Sequence, residues 1–407
     1  MEKITTDVVI SGGGLVGCTL AGLLSRAGVQ CVLVDTRPAP QAGAEGSTDP
    51  RALAITLASE NILKAIGAWR HIPVERIGTF TRMEVWDGAG TGKVEFDSIA
   101  VGAAALGYII EQPLLQHTLD RLMEYLPGVK VLRENHVAAI SASDEEIRVQ
   151  LARGQTVTAG LLAAADGSRS PTRELAGIEF PLHDYHQHAV ACVVQTFLPH
   201  NHVARQRFMD TGPLAFLPMA DPHQCGIVWS TTEVRARELV QLPETEFNAV
   251  LGEAFEQTLG QIVHSGARLD FPLYRAQARY YCKPRLALAG DAAHCVHPLA
   301  GQGANLGLLD AASLAEVIVA AREKRRDIGA YSVLRRYERW RRGENHLMLT
   351  VLEGFKYLFE NRSQPVILAR NRGMDLFNHL PYIKELTMRR AMGLEGDLPL
   401  AARAVLE

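Results

Sequence analysis

Six cysteines in 407 residues, with no C-x-x-C pair among them, leave neither a disulfide framework nor a zinc knuckle to organise the chain. The expectation is a reduced, cytoplasmic protein. Charge of one sign is scarce too. Forty-two basic side chains against forty-five acidic ones give a net charge of −3, which offers nucleic acid no electrostatic footprint. No apolar run reads as long enough to span a bilayer, so any membrane role is expected at the surface. The acidic, polar N-terminus lacks the pattern of a signal peptide. Repeats and low-complexity tracts are missing. The composition that is left is ordinary for a globular chain, long enough for two or three domains.

Glycine is placed rather than merely present. The apolar run Asp7 to Ile10 is followed by Gly12-Gly13-Gly14-Leu15-Val16-Gly17, then by a helix to about Ala27 with Gly28 as its C-cap. A second apolar run, Cys31 to Val34, ends in Asp35, eighteen residues beyond Gly17. This is G-x-G-x-x-G in its β-turn-α-β setting, with an acid where a ribose would be bound. Gly12 serves the tight turn, Gly14 lets backbone approach a pyrophosphate, and Gly17 lets helix pack on strand. The residues alone leave NAD and FAD both open.

A second strand tip carries Asp166-Gly167-Ser168-Arg169-Ser170, after a meander from Val137 and a buried run Leu161 to Ala164. A third carries Gly290-Asp291 after Leu286 to Ala289, then a loop with Pro298 and the turn Gly301-Gln302-Gly303. Helical spacing follows from Ala304. That helix start offers free N–H groups and a positive dipole end to an anionic or electron-rich ligand. Between these motifs, the runs around Arg82 to Phe96 and from Ala189 to Thr231 read as strands of a second sheet. The only helix expected within residues 183–272 lies at about Glu244 to Ile262. Beyond Arg342 the chain reads as helical, with Leu347, Val351, Phe355 and Leu358 near one face and bases locally exceeding acids. A helical cap, an oligomer contact and a membrane-surface or lipid-substrate face all fit that pattern.

Together the three fingerprints resemble the single-component, FAD-dependent aromatic hydroxylases of the para-hydroxybenzoate hydroxylase type. Arg51-Ala-Leu-Ala, Gly212 to Pro218, Phe271-Pro-Leu273 and the stretch His297 to Gly307 resemble, more narrowly, the ubiquinone-biosynthesis monooxygenases. The implied fold is α/β: a Rossmann-like FAD-binding domain with an inserted β-sheet substrate domain and a helical C-terminal region. The FAD-binding parts would be residues 1–77, 105–182 and 273–342, the substrate parts 78–104 and 183–272, and the helical region 343–407.

Carried over residue by residue, the resemblance implies that Gly12, Gly14 and Gly17 hold the FAD pyrophosphate. Asp35 stands where most relatives have Glu, one methylene longer. Arg51 and Gln112 would touch FAD near its phosphates and ribityl chain, and Val137 would use its backbone at the adenine. Asp166 belongs to a motif linked to FAD and reduced nicotinamide. Asp291, Pro298, Gly301, Gly303, Ala304 and Asn305 would hold the ribityl side and the ring's anionic edge. Arg51, Gly301 and Gly303 would also position the flavin for catalysis. Arg169 and Arg173 would help at the Asp166 motif or be surface arginines, and, read from the residues alone, Arg51 could equally be a solvated arginine.

The implied chemistry is ring hydroxylation through a C4a-hydroperoxyflavin. O2 is the co-substrate, and NADH, NADPH or another reductant is the electron donor. The implied substrate is a polyprenylated phenol or quinone precursor, with Phe216, Leu217, Pro218 and Trp229 as lining residues of a water-excluding chamber. Implied partners are a quinone-biosynthesis complex, the inner face of the membrane and a second copy of the chain. A hydroxylase of a small soluble phenol and a flavoprotein scaffold are the competing readings. A plain nicotinamide dehydrogenase leaves two strand-tip Asp motifs unexplained, and a disulfide reductase needs a cysteine pair that is not there. His294 and His297 have H-x-x-H spacing but no acidic or cysteine partners at ligand spacing, so no metal is expected.

Overall fold

Lys3–Ser11 lies in the middle of a sheet because its second half, Val8, Val9 and Ile10, is apolar on both faces and wholly buried. The computed structural model describes residues 3–40, 49–296 and 301–403. The sheet runs in the order Cys282–Lys283, Leu286–Leu288, Thr156–Ala164, Lys3–Ser11, Cys31–Val34, Val129–Leu132. All neighbours are parallel except the hairpin at its Cys282 edge. A side hairpin, Val137–Ala142 with Ile147–Leu151, pairs onto the first half of Thr156–Ala164. Helices α1 (Leu15–Arg26), α2 (Leu57–Ile66) and α3 (Gln112–Met123) belong to this layer, and a short α4 (Pro171–Leu175) follows the second Asp-Gly turn. A small antiparallel sheet of Ala52–Ile55, Gly107–Glu111 and Gly78–Phe80 sits beside it.

The inserted unit is a nine-stranded sheet. Its order is His294–Cys295, Leu269–Gln277, Leu182–Thr196, Gln224–Thr232, Gly212–Pro218, Val203–Met209, Arg82–Asp87, Lys93–Asp97, with Ile262–Ser265 beside Leu182–Thr196. One face is covered by two helices, α5 (Glu233–Gln241) and α6 (Glu244–Ala254). The sequence expectation of a single helix to Ile262 is corrected here. In α5 only Ala236 and Leu239 are buried, too sparse a pattern to read from spacing, and Ile262 begins a strand.

The chain then returns through Leu286–Leu288 to α7 (Gln302–Glu323), α8 (Tyr331–Glu360), α9 (Gln364–Asn378) and α10 (Pro381–Ala391). Contrary to the sequence reading, α7 is long and apolar enough to cross a bilayer, but most of it is buried inside the protein as a core helix. The chain passes 342/343 inside α8 and 272/273 inside the strand Leu269–Gln277, so neither expected boundary falls in a linker.

The helical end is pinned to the inserted sheet by polar contacts. Arg370 of α9 donates to Asp87 through Nε at 2.6 Å and Nη2 at 3.0 Å, and both side chains are 1% exposed. Asn371 adds a bond to the same carboxylate at 2.8 Å, and Phe359 of α8 stacks on Phe208 at 3.8 Å. Replacing Arg370 by Met leaves a buried carboxylate without its cation and is expected to cost ~3–5 kcal/mol. Adding Asp87→Leu should recover most of that loss. Urea unfolding of the two variants checks both statements; equal stability of Arg370→Met and wild type would remove the pair from the account.

Candidate cofactor and substrate site

The G-x-G-x-x-G turn is shaped by close contacts. A Cβ on Gly12, whose φ is +101°, would lie 2.3 Å from the Ala165 carbonyl oxygen, and one on Gly17 would lie 1.9 Å from the Gly12 oxygen. Gly14 is different: it caps α1, and a Cβ there would meet nothing within 4 Å. Its open side faces a cavity of about 770 Å³ that runs between the two main sheets. Backbone approach by a ligand is what such a gap permits.

Of the residues given a cofactor or lining role from the sequence, Gly14, Arg51, Gln112, Asp291, Gly301, Gly303, Ala304, Asn305 and Leu217 line this cavity. Arg51 is held by Asp49, with Nε–Oδ1 at 2.9 Å and Nη2–Oδ2 at 2.5 Å. Gln112 opens α3, its N–H bonded to the Arg51 carbonyl at 2.9 Å. Gly301 takes φ +61° at the N-cap of α7, so the first turn of that helix points its unpaired N–H groups toward the cavity wall. Asn305 also ties this helix down, accepting from the Thr56 N–H at 3.0 Å and donating to the Ala54 oxygen at 2.8 Å.

Asp291 is reachable from the cavity but enclosed by protein on its other sides. That enclosure pushes its carboxyl pKa up, with His294 opposing and Asp310 adding to the effect. Behind it lies a network with no access to water. Asp310 of α7 accepts from the Gly290 N–H at 3.0 Å, His294 Nε2 at 2.6 Å, Arg341 Nε at 2.8 Å and Asn345 Nδ2 at 3.1 Å. Burial alone would raise the Asp310 pKa; His294 and Arg341 overcome it and hold the group down to about 2. His294 thus faces this network, and His297 lies outside the described residues, as does Pro298.

Other expected residues act from behind the wall. Asp166 turns its carboxylate inward, to Ser170, to the Thr172 N–H at 3.1 Å and to Ser11 at 3.4 Å, so it shapes the loop that presents Gly167, Ser168 and Arg169. Arg173 is no surface arginine: it is buried and bonds the Ala292 and Ser168 carbonyls at 3.0 Å and 2.9 Å, joining the two Asp-Gly loops. Asp35 is buried between Arg37 and Arg133, at 2.6 Å and 3.2 Å, and both arginines also reach Asp120. Arg37 further bonds the Gly13 oxygen at 2.5 Å. None of these long-range partners carries a sequence signal. Val137 is buried in its strand and does not reach the cavity.

The expected chamber residues divide by strand parity. Phe216 and Trp229 point to the helix-covered face, where Phe216 stacks on Phe255 at 3.6 Å. Their neighbours Ala215, Leu217 and Val228 face the cavity instead. Pro218 is buried outside it. A run of apolar residues does not say which of its two faces meets a ligand, and here the bulkier set faces the helices.

The sequence matches the FAD binding domain family over residues 5–346. It is 37% identical to the ubiquinone hydroxylase UbiL of Rhodospirillum rubrum, over 95% of this chain and 89% of that protein. The chain belongs to the FAD-dependent ubiquinone-biosynthesis hydroxylase family. It is also 34% identical to the 3-demethoxyubiquinol 3-hydroxylase of Escherichia coli, covering 97% of this chain and all (100%) of that one. Among solved structures, p-nitrophenol 4-monooxygenase of Pseudomonas putida shares the fold, with a TM-score of 0.77 at 21% identity over 98% of this chain and 100% of that one. The flavoprotein therefore is a monooxygenase, and its residues fit FAD: an open glycine at a helix start, a second helix start on the same cavity and an apolar chamber beyond.

Two outcomes test the site. Gly14→Val should leave the apoprotein folded, at a cost of about 1 kcal/mol for a poorer helix cap, yet abolish FAD retention; Gly17→Val should prevent folding itself. Flavin absorbance per chain and circular dichroism separate the two, and a Gly14→Val protein that retains full FAD would contradict the placement. Asp310→Asn should lower stability by ~3–5 kcal/mol at neutral pH. Because the folded pKa lies below the ordinary carboxylate value, the part of this contribution that titrates is complete above about pH 4 and is lost as pH falls through about 2. Urea midpoints of wild type and variant should converge across that window.

Proposed function

We propose that the protein hydroxylates the aromatic ring of a polyprenylated phenol or quinone precursor, using O2 and electrons from NADH or NADPH. The observation that carries the reading is the far end of the cavity. Thr387 and Ala391 of α10 line it and are also exposed, which supports an opening of the chamber along this helix. Ile383, Thr387 and Ala391 are spaced four apart, which sets the exposed Ile383 on the same face as the mouth. Leu380, Tyr382 and Leu386 are exposed beside them. An apolar path from surface to chamber suits a greasy tail better than a small, soluble phenol.

The same surface supports peripheral membrane contact from the cytoplasmic side. Between Arg362 and Met392 there are six bases and two acids; with Arg370 buried against Asp87, five bases are left for this surface, in a chain whose net charge is −3. A locally basic, apolar surface is attracted to anionic lipid and buries its side chains at the headgroup boundary.

FAD, when bound, supplies the electron transfer and oxygen activation that no side chain can perform, and the hydroperoxide route implied by the family resemblance belongs to this proposal. The chain's own residues bind, orient and exclude water. The first turns of α1 and α7 direct N–H groups into the cavity and favour negative charge there. Arg51, braced by Asp49, adds a fixed cation to the wall. Phe80, Met83, Phe96, Leu106 and Met388 keep the distal chamber dry.

The test is a reconstitution. Holoenzyme with reductant, O2 and a short-chain prenylated phenol should yield a product heavier by one oxygen atom by mass spectrometry. Turnover of a small unprenylated phenol alone, with none of the prenylated panel hydroxylated, would overturn the substrate class.

A further inference from the structure

Four neighbouring strands of the inserted sheet contribute one row of side chains to the chamber wall. Ala191 lies opposite Val228, Val228 opposite Ala215, and Ala215 opposite Gln206, and all four line the cavity. Residues in register on adjacent strands project to the same face. The neighbours of Gln206 on its own strand obey the same parity: Ala204 lines the cavity, and Phe208 continues the face toward Phe359. Within this row three side chains are small and apolar, and one is a carboxamide.

Gln206 is 6% exposed. Among the described residues its side chain has no hydrogen-bond partner, whereas the other long amides of the wall sit near the helix starts. Gln116, for example, is committed to the Gly13 oxygen at 3.0 Å. Its amide atoms are open to the cavity rather than enclosed by protein, so a ligand that displaces water from the chamber must pair with them, and the row around them has no other polar atom to offer. The small Ala215, Val228 and Ala191 leave room beside it for a flat ring.

The geometry points to Gln206 as the residue that hydrogen-bonds a ring oxygen of the substrate and so sets which ring edge is presented for hydroxylation. It rests on the aromatic-substrate reading above. A carboxamide is a donor and an acceptor at once, so it can take a phenol hydroxyl either way, or donate to a quinone carbonyl or methoxy oxygen. It carries no charge and therefore does not need to ionise the ring. A site built around one such bond discriminates against the analogue that lacks the oxygen, because the amide is then left buried and unpaired. Gln206 is a substrate-positioning residue, with no part in holding FAD.

The experiment compares equilibrium binding, so that ring reactivity does not enter. Oxidised holoenzyme is titrated with a short-chain prenylated phenol and with the same molecule lacking the hydroxyl, followed through the flavin absorbance change. Wild type should prefer the phenol by about tenfold or more, equivalent to ~1.4 kcal/mol per decade. In Gln206→Leu the preference should fall to about onefold, with affinity for the deoxy compound unchanged or improved and FAD content intact. Gln206→Met, unbranched and closer in shape, provides the same comparison should the leucine variant lose flavin. A preference that persists in the variants overturns the assignment of Gln206 alone and leaves the substrate class standing. So does equal binding of both compounds by wild type, which means that only water pairs with the amide. Failure of wild type to bind either compound overturns the substrate class, and the role of Gln206 falls with it.

Discussion

A carboxylate with no exposure at all, Asp310, holds the site together. Burying one charge in protein costs several kcal/mol unless cations and N–H groups surround it, and Asp310 has four donors from two stretches of the chain. One is the Gly290 N–H, at the turn that sets Asp291 on the cavity floor. Another is His294, on the strand that leads into the segment before α7. Arg341 and Asn345 come from α8. The network therefore fixes the relative placement of the third fingerprint, the helix whose start faces the cavity and the helix that leads to the C-terminal region. Asp310 is the charge that α7 turns inward, and it is fully paired; the helix itself packs chiefly against α1, α8 and α2.

A second constraint is the parity of the inserted sheet. Each strand must serve two partners, the helix pair α5 and α6 on one face and the cavity on the other. The helix side takes the large residues, Phe216, Trp229 and Leu214, because two helices offer a continuous apolar surface to fill. The cavity side takes Ala191, Ala204, Ala215 and Val228, small side chains that leave the space in front of the sheet open. Small side chains in the middle of a sheet are thus a sign of a chamber, where a search for bulky apolar residues finds only the core.

This difference decides what was legible in the sequence. The dinucleotide fold, the inserted sheet and the two Asp-Gly strand tips were readable because each depends on local chemistry: a glycine that nothing can replace, an acid at the end of an apolar run, helical spacing after a turn. Gly14, Asp291 and Gly301 are of this kind. The partners of Asp35 and Asp166 were not readable, since Arg133, Asp120 and Thr172 approach through tertiary folding and have no fixed spacing to their targets. Phe216 and Trp229 were misplaced because alternation gives the period of a strand and not its phase. Gln206 was missed for the same reason: a lone Gln between Arg205 and Arg207 looks like part of a polar edge strand until the register with Ala215 is known.

The C-terminal helices show how one region can carry both an anchored and an unanchored face. Arg370 and Asn371 clamp α9 to Asp87 through buried polar contacts, which are specific in geometry and cannot slide. Met388 and Met392 close α10 over Val101 and Leu106 by apolar contact, which is permissive of rearrangement. The part of α10 that borders the cavity mouth is therefore held by flexible methionines, while the part of α9 behind it is locked. If a long apolar tail enters past Thr387, the movement it requires falls on the methionine side of this division. The clamp at Asp87 keeps the remainder of the region, and the apolar face it displays, in a fixed orientation on the inserted sheet.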